Sequence, residues 1–351
     1  VLRQLARLTR PYPAAGEGAV AVAVYAGATD DLIPARESGI EGVACVDDTA
    51  RLLDVLCAVW ARTDDATVER WARGALAFVL WMQEPDGRWL NFVHDWRGTK
   101  NTSGLTSSVG ENFWHARALG GLARAWQRSG EPRILDAFRR GFEHASAKPA
   151  PPDVRSLHVL AGMRMLPDLG DGPTLDLIRG WARDIAEMRI DGVLMNNPDE
   201  RGTPHLWAHV QEGVLAELAG PLGEPDLLAI ARASAARLLV PCVRDAFPAA
   251  RTSPYDVACV TWSLDRLAAV DGEPWAGLAA EARAWFDGRN AAAGPVYDRE
   301  RGRVADGIDE GRVSENSGAE ANLVAAETLR DDAAAVAASG QLEALLLIGR
   351  R

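Results

Sequence analysis

Lysine is almost absent from this 351-residue chain, represented by Lys100 and Lys148 alone, and arginine is scattered over it. With a formal net charge of −11 and no basic stripe, the sequence has little to grip phosphates with, which argues against nucleic acid or an anionic membrane as a partner. No apolar run approaches the roughly 20 residues that span a bilayer, and the opening Val1-Leu2-Arg3-Gln4-Leu5 lacks the apolar centre of a signal peptide. The expectation is a soluble, cytoplasmic protein; the first residue is not Met, so the removal of a leader or a neighbouring domain stays open. Oligomeric state is not legible. Cysteine is also sparse: Cys45, Cys57, Cys242 and Cys259 lie far apart with no metal-ligand spacing, so burial as small apolar groups is expected of all four. No cofactor and no metal is implied.

What is present is a core-forming composition, 48% hydrophobic and 25% charged, arranged in an even repeat. The length permits two or three domains, but the repeat argues for one, residues 1–351. Six segments begin in polar, carboxylate-rich sequence and run into small apolar residues: 47–53, 111–117, 154–160, 206–212, 255–261 and 315–321. They carry Ala and Gly at close spacing, as in 116–123, and are apolar around most of the cylinder, the mark of helices buried on several sides. More ordinary amphipathic helices are expected at 68–83, 132–147, 173–189, 225–247 and 274–290, several opening on Pro, with shorter ones at 2–9 and 331–348. The expected fold is all-α, an (α/α)6 toroid of six inner and about six outer helices whose inner polar starts converge on one mouth. Three connections, 84–110, 190–204 and 291–314, are longer than a helical hairpin needs and are expected to be functional or mobile. Short strands read at 86–93, 294–298 and 19–25 are placed as small hairpins on the rim.

Asp47 and Asp48 open the first inner helix, where backbone N–H groups and the helix dipole should hold their pKa values low, as suits a general base or an electrostatic stabiliser. The competing reading is that one of them is an N-cap. Glu111 and Glu320 are the next acids, although Ser108 to Glu111 and Ser317 to Glu320 also read as capping boxes. Asn112, Trp114 and His115 beside Glu111, and Glu315 and Asn316 ahead of Glu320, concentrate polar groups where a buried helix facing only core would not offer them. His209 and Glu212, three apart on the fourth inner helix, read as a hydrogen-bonded pair lining the cavity rather than as metal ligands, and His158 as a satisfied core histidine.

The sequence holds twelve Trp against four Tyr and seven Phe. Trp89, Trp96, Trp114 and Trp207 fall in or beside the long connections and inner-helix starts, and aromatic faces beside acids and amides suit sugar rings.

Two resemblances add to this reading. The run from Gly42 through Asp47-Asp48-Thr49-Ala50-Arg51, then Asp86-Gly87-Arg88-Trp89-Leu90-Asn91-Phe92, Gly110-Glu111-Asn112-Phe113-Trp114-His115-Ala116-Arg117 and Ser317-Gly318-Ala319-Glu320 resembles the six-hairpin glycosidase-like (α/α)6 domains found alone or beside bacterial glycosyltransferases. The resemblance implies an (α/α)6 toroid with carbohydrate chemistry at its mouth and carries over no catalytic pair. Locally, Cys45-Val46-Asp47-Asp48-Thr49-Ala50 is similar to the acidic motif of class II terpenoid cyclases, and Arg73-Gly74 through Trp89 looks like their Gln-Trp repeat. Cys45 stands where that motif has its leading Asp, the repeat occurs once, and a Phe/Tyr-rich lining is missing.

The expected function is therefore a carbohydrate-active enzyme, a glycoside hydrolase using two carboxylates on an oligosaccharide or glycoside substrate. One of Asp47 and Asp48 would be the base and Glu111 or Glu320 the acid. Arg51, Asn112, His115, His209, Glu212 and Asn316 would bind hydroxyls, while Trp89, Trp96 and Trp114 would stack. The alternatives are a class II terpenoid-cyclase-like enzyme protonating through Asp47-Asp48, and a non-catalytic carbohydrate-binding domain.

Overall fold

The computed structural model describes residues 1–35 and 41–348. Helices dominate: α1 (Leu2–Leu8), α2 (Val46–Thr63), α3 (Ala66–Met82), α4 (Phe113–Ser129), α5 (Pro132–Ala147), α6 (Pro152–Leu169), α7 (Asp171–Glu187), α8 (Gln211–Leu222), α9 (Pro225–Arg237), α10 (Leu239–Arg244), α11 (Pro254–Asp271), α12 (Trp275–Arg283), α13 (Ala319–Thr328), α14 (Arg330–Ala338) and α15 (Leu342–Ile348). Strands are two or three residues long and form small antiparallel ladders, such as Thr9–Pro11 with Val20–Val22, and Ala44–Cys45 with Phe92–Val93. The expected short strands at 19–25, 86–93 and 294–298 are thus present in part, the last as Tyr297–Asp298.

The contacts gather into two compact units, one formed by residues 1–149, 298–306 and 315–351 and the other by 150–297 and 307–314. In the first unit α13, α2 and α4 lie side by side, with α3 packed on α2, α5 on α4, and α1, α14 and α15 closing the set. In the second, α6, α8 and α11 form the row, backed by α7, α9 and α12.

A local grammar joins three of the inner helices to their partners. Gly130-Glu131-Pro132, Gly223-Glu224-Pro225 and Gly272-Glu273-Pro274 each place a glycine at positive φ (65°, 67° and 72°) after one helix and a proline at or just before the start of the next. Glycine accepts the left-handed backbone that ends a helix, and proline supplies the φ that begins one. Between α2 and α3 the same turn is made by Asp64 at φ 52°, followed by Asp65, whose carboxylate accepts the N–H groups of Thr67 and Val68.

Small residues set the closeness of the inner rows. A Cβ on Gly121 of α4 would come 2.7 Å from the carbonyl oxygen of Ala50 on α2, and one on Gly213 of α8 would meet the Trp262 ring of α11. In the first unit Leu52, Leu53 and Leu56 of α2, Leu119 and Leu122 of α4, Phe78 of α3 and Phe138 of α5 are fully or almost fully buried. Cys45, Cys57 and Cys259 are buried as expected, but Cys242 is only partly so.

Several boundaries differ from the sequence reading for identifiable reasons. The single helix expected over 225–247 breaks after Arg237, because Pro241 lacks an N–H and its ring opposes the carbonyl four residues earlier. The helix expected over 331–348 is interrupted at Gly340, at φ 71°, and that over 274–290 tightens to 3-10 geometry and stops at Gly288. The fourth inner helix starts at Gln211 rather than 206, because Ala208 adopts φ 57°, so His209 precedes the helix that was expected to carry it. Glu111 likewise lies outside α4, and Glu315 and Asn316 outside α13.

Candidate functional site

Three of the predicted acids meet on one cation. Arg51, on α2, places its guanidinium 2.9 Å from Asp48, 3.4 Å from Asp47 and 3.0 Å from Glu320. Asp47 and Asp48 lie four and three residues, about one turn, ahead of Arg51 on the same helix, whereas Glu320 arrives from the first turn of α13. Arg117, from α4, forms a second ion pair with Asp47, and the Asp47 N–H is received by the Asn91 side chain.

Neither aspartate caps its helix. The N-cap is Cys45, whose sulfur accepts the Asp48 N–H at 3.4 Å and donates back to the Asp48 carboxylate at 3.3 Å. The expected capping boxes are absent too: Asn112 caps α4 by accepting the His115 N–H, and Ser317 gives its hydroxyl to the Val304 carbonyl ahead of α13. Ser253 and Asp256 of α11 form a box instead.

Electrostatics separates the pair. Burial acts to raise Asp47, but Arg117 and Arg51 outweigh it and hold its carboxyl below the ordinary range. Asp48, 3% exposed, is pushed up to about 6 by burial and by the Asp47 and Glu320 charges, against the pull of Arg51. The expectation that the helix start would hold both low is therefore corrected for Asp48: desolvation exceeds the stabilisation from the helix end.

A fourth acid, unforeseen in the sequence, lies near Glu320. Asp306 accepts the Gly318 N–H at 2.6 Å, and its own N–H goes to the carbonyl of Asn316 at 3.0 Å. Asp306 is lifted to about 6, chiefly by burial, with the nearby Glu320 charge adding and the Gly318 N–H and Arg303 opposing. The sole sequence signal was Asp306-Gly307, a turn pair inside a long connection. Glu320 itself is open, its side chain 49% exposed, and Asn316 is exposed beside it.

Other predicted residues fall elsewhere. Glu111 lies 2.7 Å from His144 of α5. His115 is fully buried, faces the Gly141 carbonyl at 3.0 Å and is lowered to about 4 by burial, so it is a neutral packing histidine rather than a hydroxyl ligand. Trp89 is fully buried with its indole N–H on the Val79 carbonyl, which corrects its expected stacking role. Trp114, half-buried, donates to the Trp89 carbonyl, and Trp96 packs beside Tyr12 with ring centroids 6.4 Å apart. Asn112 is occupied as a cap.

In the second unit His209 and Glu212 do form the expected pair at 3.0 Å, but both are fully buried and line no open cavity. His209 faces Asn196 Oδ1 at 2.6 Å on its other nitrogen, and Ser234 donates to Glu212 at 2.6 Å. Burial acts to raise Glu212, but His209 and Ser234 hold it below its ordinary value. His158 is buried beside Arg155 and Trp181, as a core histidine should be. Among the described residues no three His, Cys, Asp or Glu side chains gather as a metal ion would require.

No protein-family profile matches the chain, and no curated protein is similar to it in sequence. Solved structures are similar in fold. A D-mannose isomerase matches with a TM-score of 0.67 at 10% identity over 94% of this chain and 96% of its own. A sugar epimerase from a ruminal bacterium matches at 0.67 and 12% over 97% and 96%. The fold is the all-α (α/α)6 toroid. The GH76A alpha-1,6-mannanase of Salegentibacter sp. shares it, with a TM-score of 0.63 at 12% identity over 95% of this chain and 96% of its own. No described helix is long and apolar enough to cross a membrane.

Proposed function

We propose that this chain is a carbohydrate-active enzyme that cleaves glycosidic bonds with Glu320, paired to Arg51, and its neighbouring acid Asp306. The observation that carries the reading is the contrast between Asp306 and Glu320. The first is sheltered and lifted to about 6, and the second is open to solvent beside a guanidinium 3.0 Å away. Pairs of acids whose surroundings push them apart divide naturally into proton donor and base. Asp306 is then the general acid, Glu320 the base or nucleophile, and Asp47, Asp48, Arg51 and Arg117 the ionic bed that fixes Glu320. Asn316, whose carbonyl accepts the Asp306 N–H, is a group at hand for sugar hydroxyls.

Proteins of similar fold bear names that divide between bond cleavage and sugar isomerisation. Cleavage is favoured here because His115 and His209 are both sealed from solvent, whereas acids are at hand. A terpenoid-cyclase role is disfavoured by Arg51 and Arg117, since a protonating aspartic acid needs an apolar chamber and these aspartates sit against two guanidiniums. The test is the pH dependence of hydrolysis. A donor with a pKa of about 6 is lost as pH rises through that value, so kcat/KM should fall on the alkaline side. Asp306→Asn should lower the rate by about 10²–10⁴ and abolish that limb. An unchanged rate and profile in Asp306→Asn would refute the assignment.

A further inference from the structure

Of the twelve tryptophans, Trp207 is the one that stands exposed, at 42%, and its neighbours hold it in place. The His205 ring lies parallel to it, centroids 3.8 Å apart and planes 7° from coincidence, with its Nδ1 on the Trp207 carbonyl at 2.9 Å. Tyr255, at the start of α11, flanks the indole at 6.5 Å with a 42° tilt. Beneath, the loop is pinned. Glu200 receives the N–H groups of Asn196 and His205, Asn196 donates to the His205 carbonyl, and Ala208 turns through φ 57° so that His209 can enter the buried pair with Glu212.

An aromatic surface built this way has its orientation settled before any ligand arrives, and so loses little entropy on binding. We infer that Trp207, backed by His205 and flanked by Tyr255, is a carbohydrate-stacking platform in the second unit that binds one pyranose ring of an oligosaccharide through its C–H face. With the imidazole stacked on one side, the indole has its other flat face, of about ring size, for a sugar, and the Tyr255 phenol beside it offers a polar group for hydroxyls. Asp199, Glu200 and Asp256 surround the platform in sequence, and negative charge there opposes a nucleotide, whose phosphates would need cations. The choice of a sugar rests on the carbohydrate reading given above; the platform itself stands on its own geometry.

Titration calorimetry with alpha-1,6-mannotetraose and with cellotetraose tests the inference, using wild type, Trp207→Ala, Trp207→Phe and His205→Ala. Wild type should bind at least one of the two. Trp207→Ala should weaken that binding roughly tenfold or more, Trp207→Phe should retain most of it, and His205→Ala, a positioning residue, should fall between, all with unchanged thermal transitions. Equal affinity in wild type and Trp207→Ala overturns the inference, as does the absence of binding of either sugar to wild type. Binding that depends on Trp207 without any cleavage by wild type would sustain the platform and defeat the hydrolase reading. Cleavage with affinity indifferent to Trp207 would do the reverse.

Discussion

Asp153 isolates the effect of burial on an acid, because it sits in the second unit and is given no part in the proposed chemistry. It is 5% exposed and is pushed up to about 6 by burial, with the Glu200 charge adding and the Val154 N–H and His209 opposing. A folded-state pKa above the unfolded value means the native state favours the protonated acid, so stability is full below about pH 4 and is lost as pH rises through 6. Asp153→Asn should therefore compare better with wild type at pH 8 than at pH 4, by on the order of 2 kcal/mol, in urea denaturation at the two pH values. A difference that is flat with pH would contradict the burial argument. At this scale the sequence was partly readable. Asp47, Asp48, Arg51 and Glu320 were named from their place at inner-helix starts, and they do meet. Asp306 was not, because a lone acid in a loop has no periodicity and only the fold brings Gly318 and Glu320 to it. His115 and Trp89 misled for the converse reason: a polar or aromatic residue beside an acid reads as a ligand group whether it points to solvent or into packing.

The elements were more legible than their ends. Inner and outer helices differ in composition because inner ones must pack on several sides, and this difference is written along the whole helix. Ends depend on single residues. Pro241 split one helix, Ala208 delayed another by about a turn, and Cys45 took a cap that the adjoining aspartates seemed made for. The crossing of α2 and α4 matters most for the site, since it brings Arg117 to Asp47, and it is close because Gly121 has no side chain against the Ala50 carbonyl. Gly121→Ala should force the helices apart at a cost of about 1–3 kcal/mol, seen as a transition lowered by several degrees, and should weaken activity through the displaced ion pair. Retention of both stability and activity would show that the crossing has slack.

Across the whole molecule, the fold is shared with similar structures at 10–12% identity, and in this chain it rests on a pattern rather than on particular residues: small inner residues and amphipathic outer helices. Such a pattern leaves the chemistry free to change, so likeness of fold does not transfer an activity, and the function must be argued from the acids themselves. The decisive measurement is release of reducing sugar from a panel of manno- and gluco-oligosaccharides by wild type, Glu320→Gln and Glu111→Gln. The account predicts turnover by wild type, a loss of about 10²–10⁴ in Glu320→Gln, and activity within a few-fold of wild type in Glu111→Gln. Full activity in Glu320→Gln, or no cleavage of any glycoside by wild type, would contradict it.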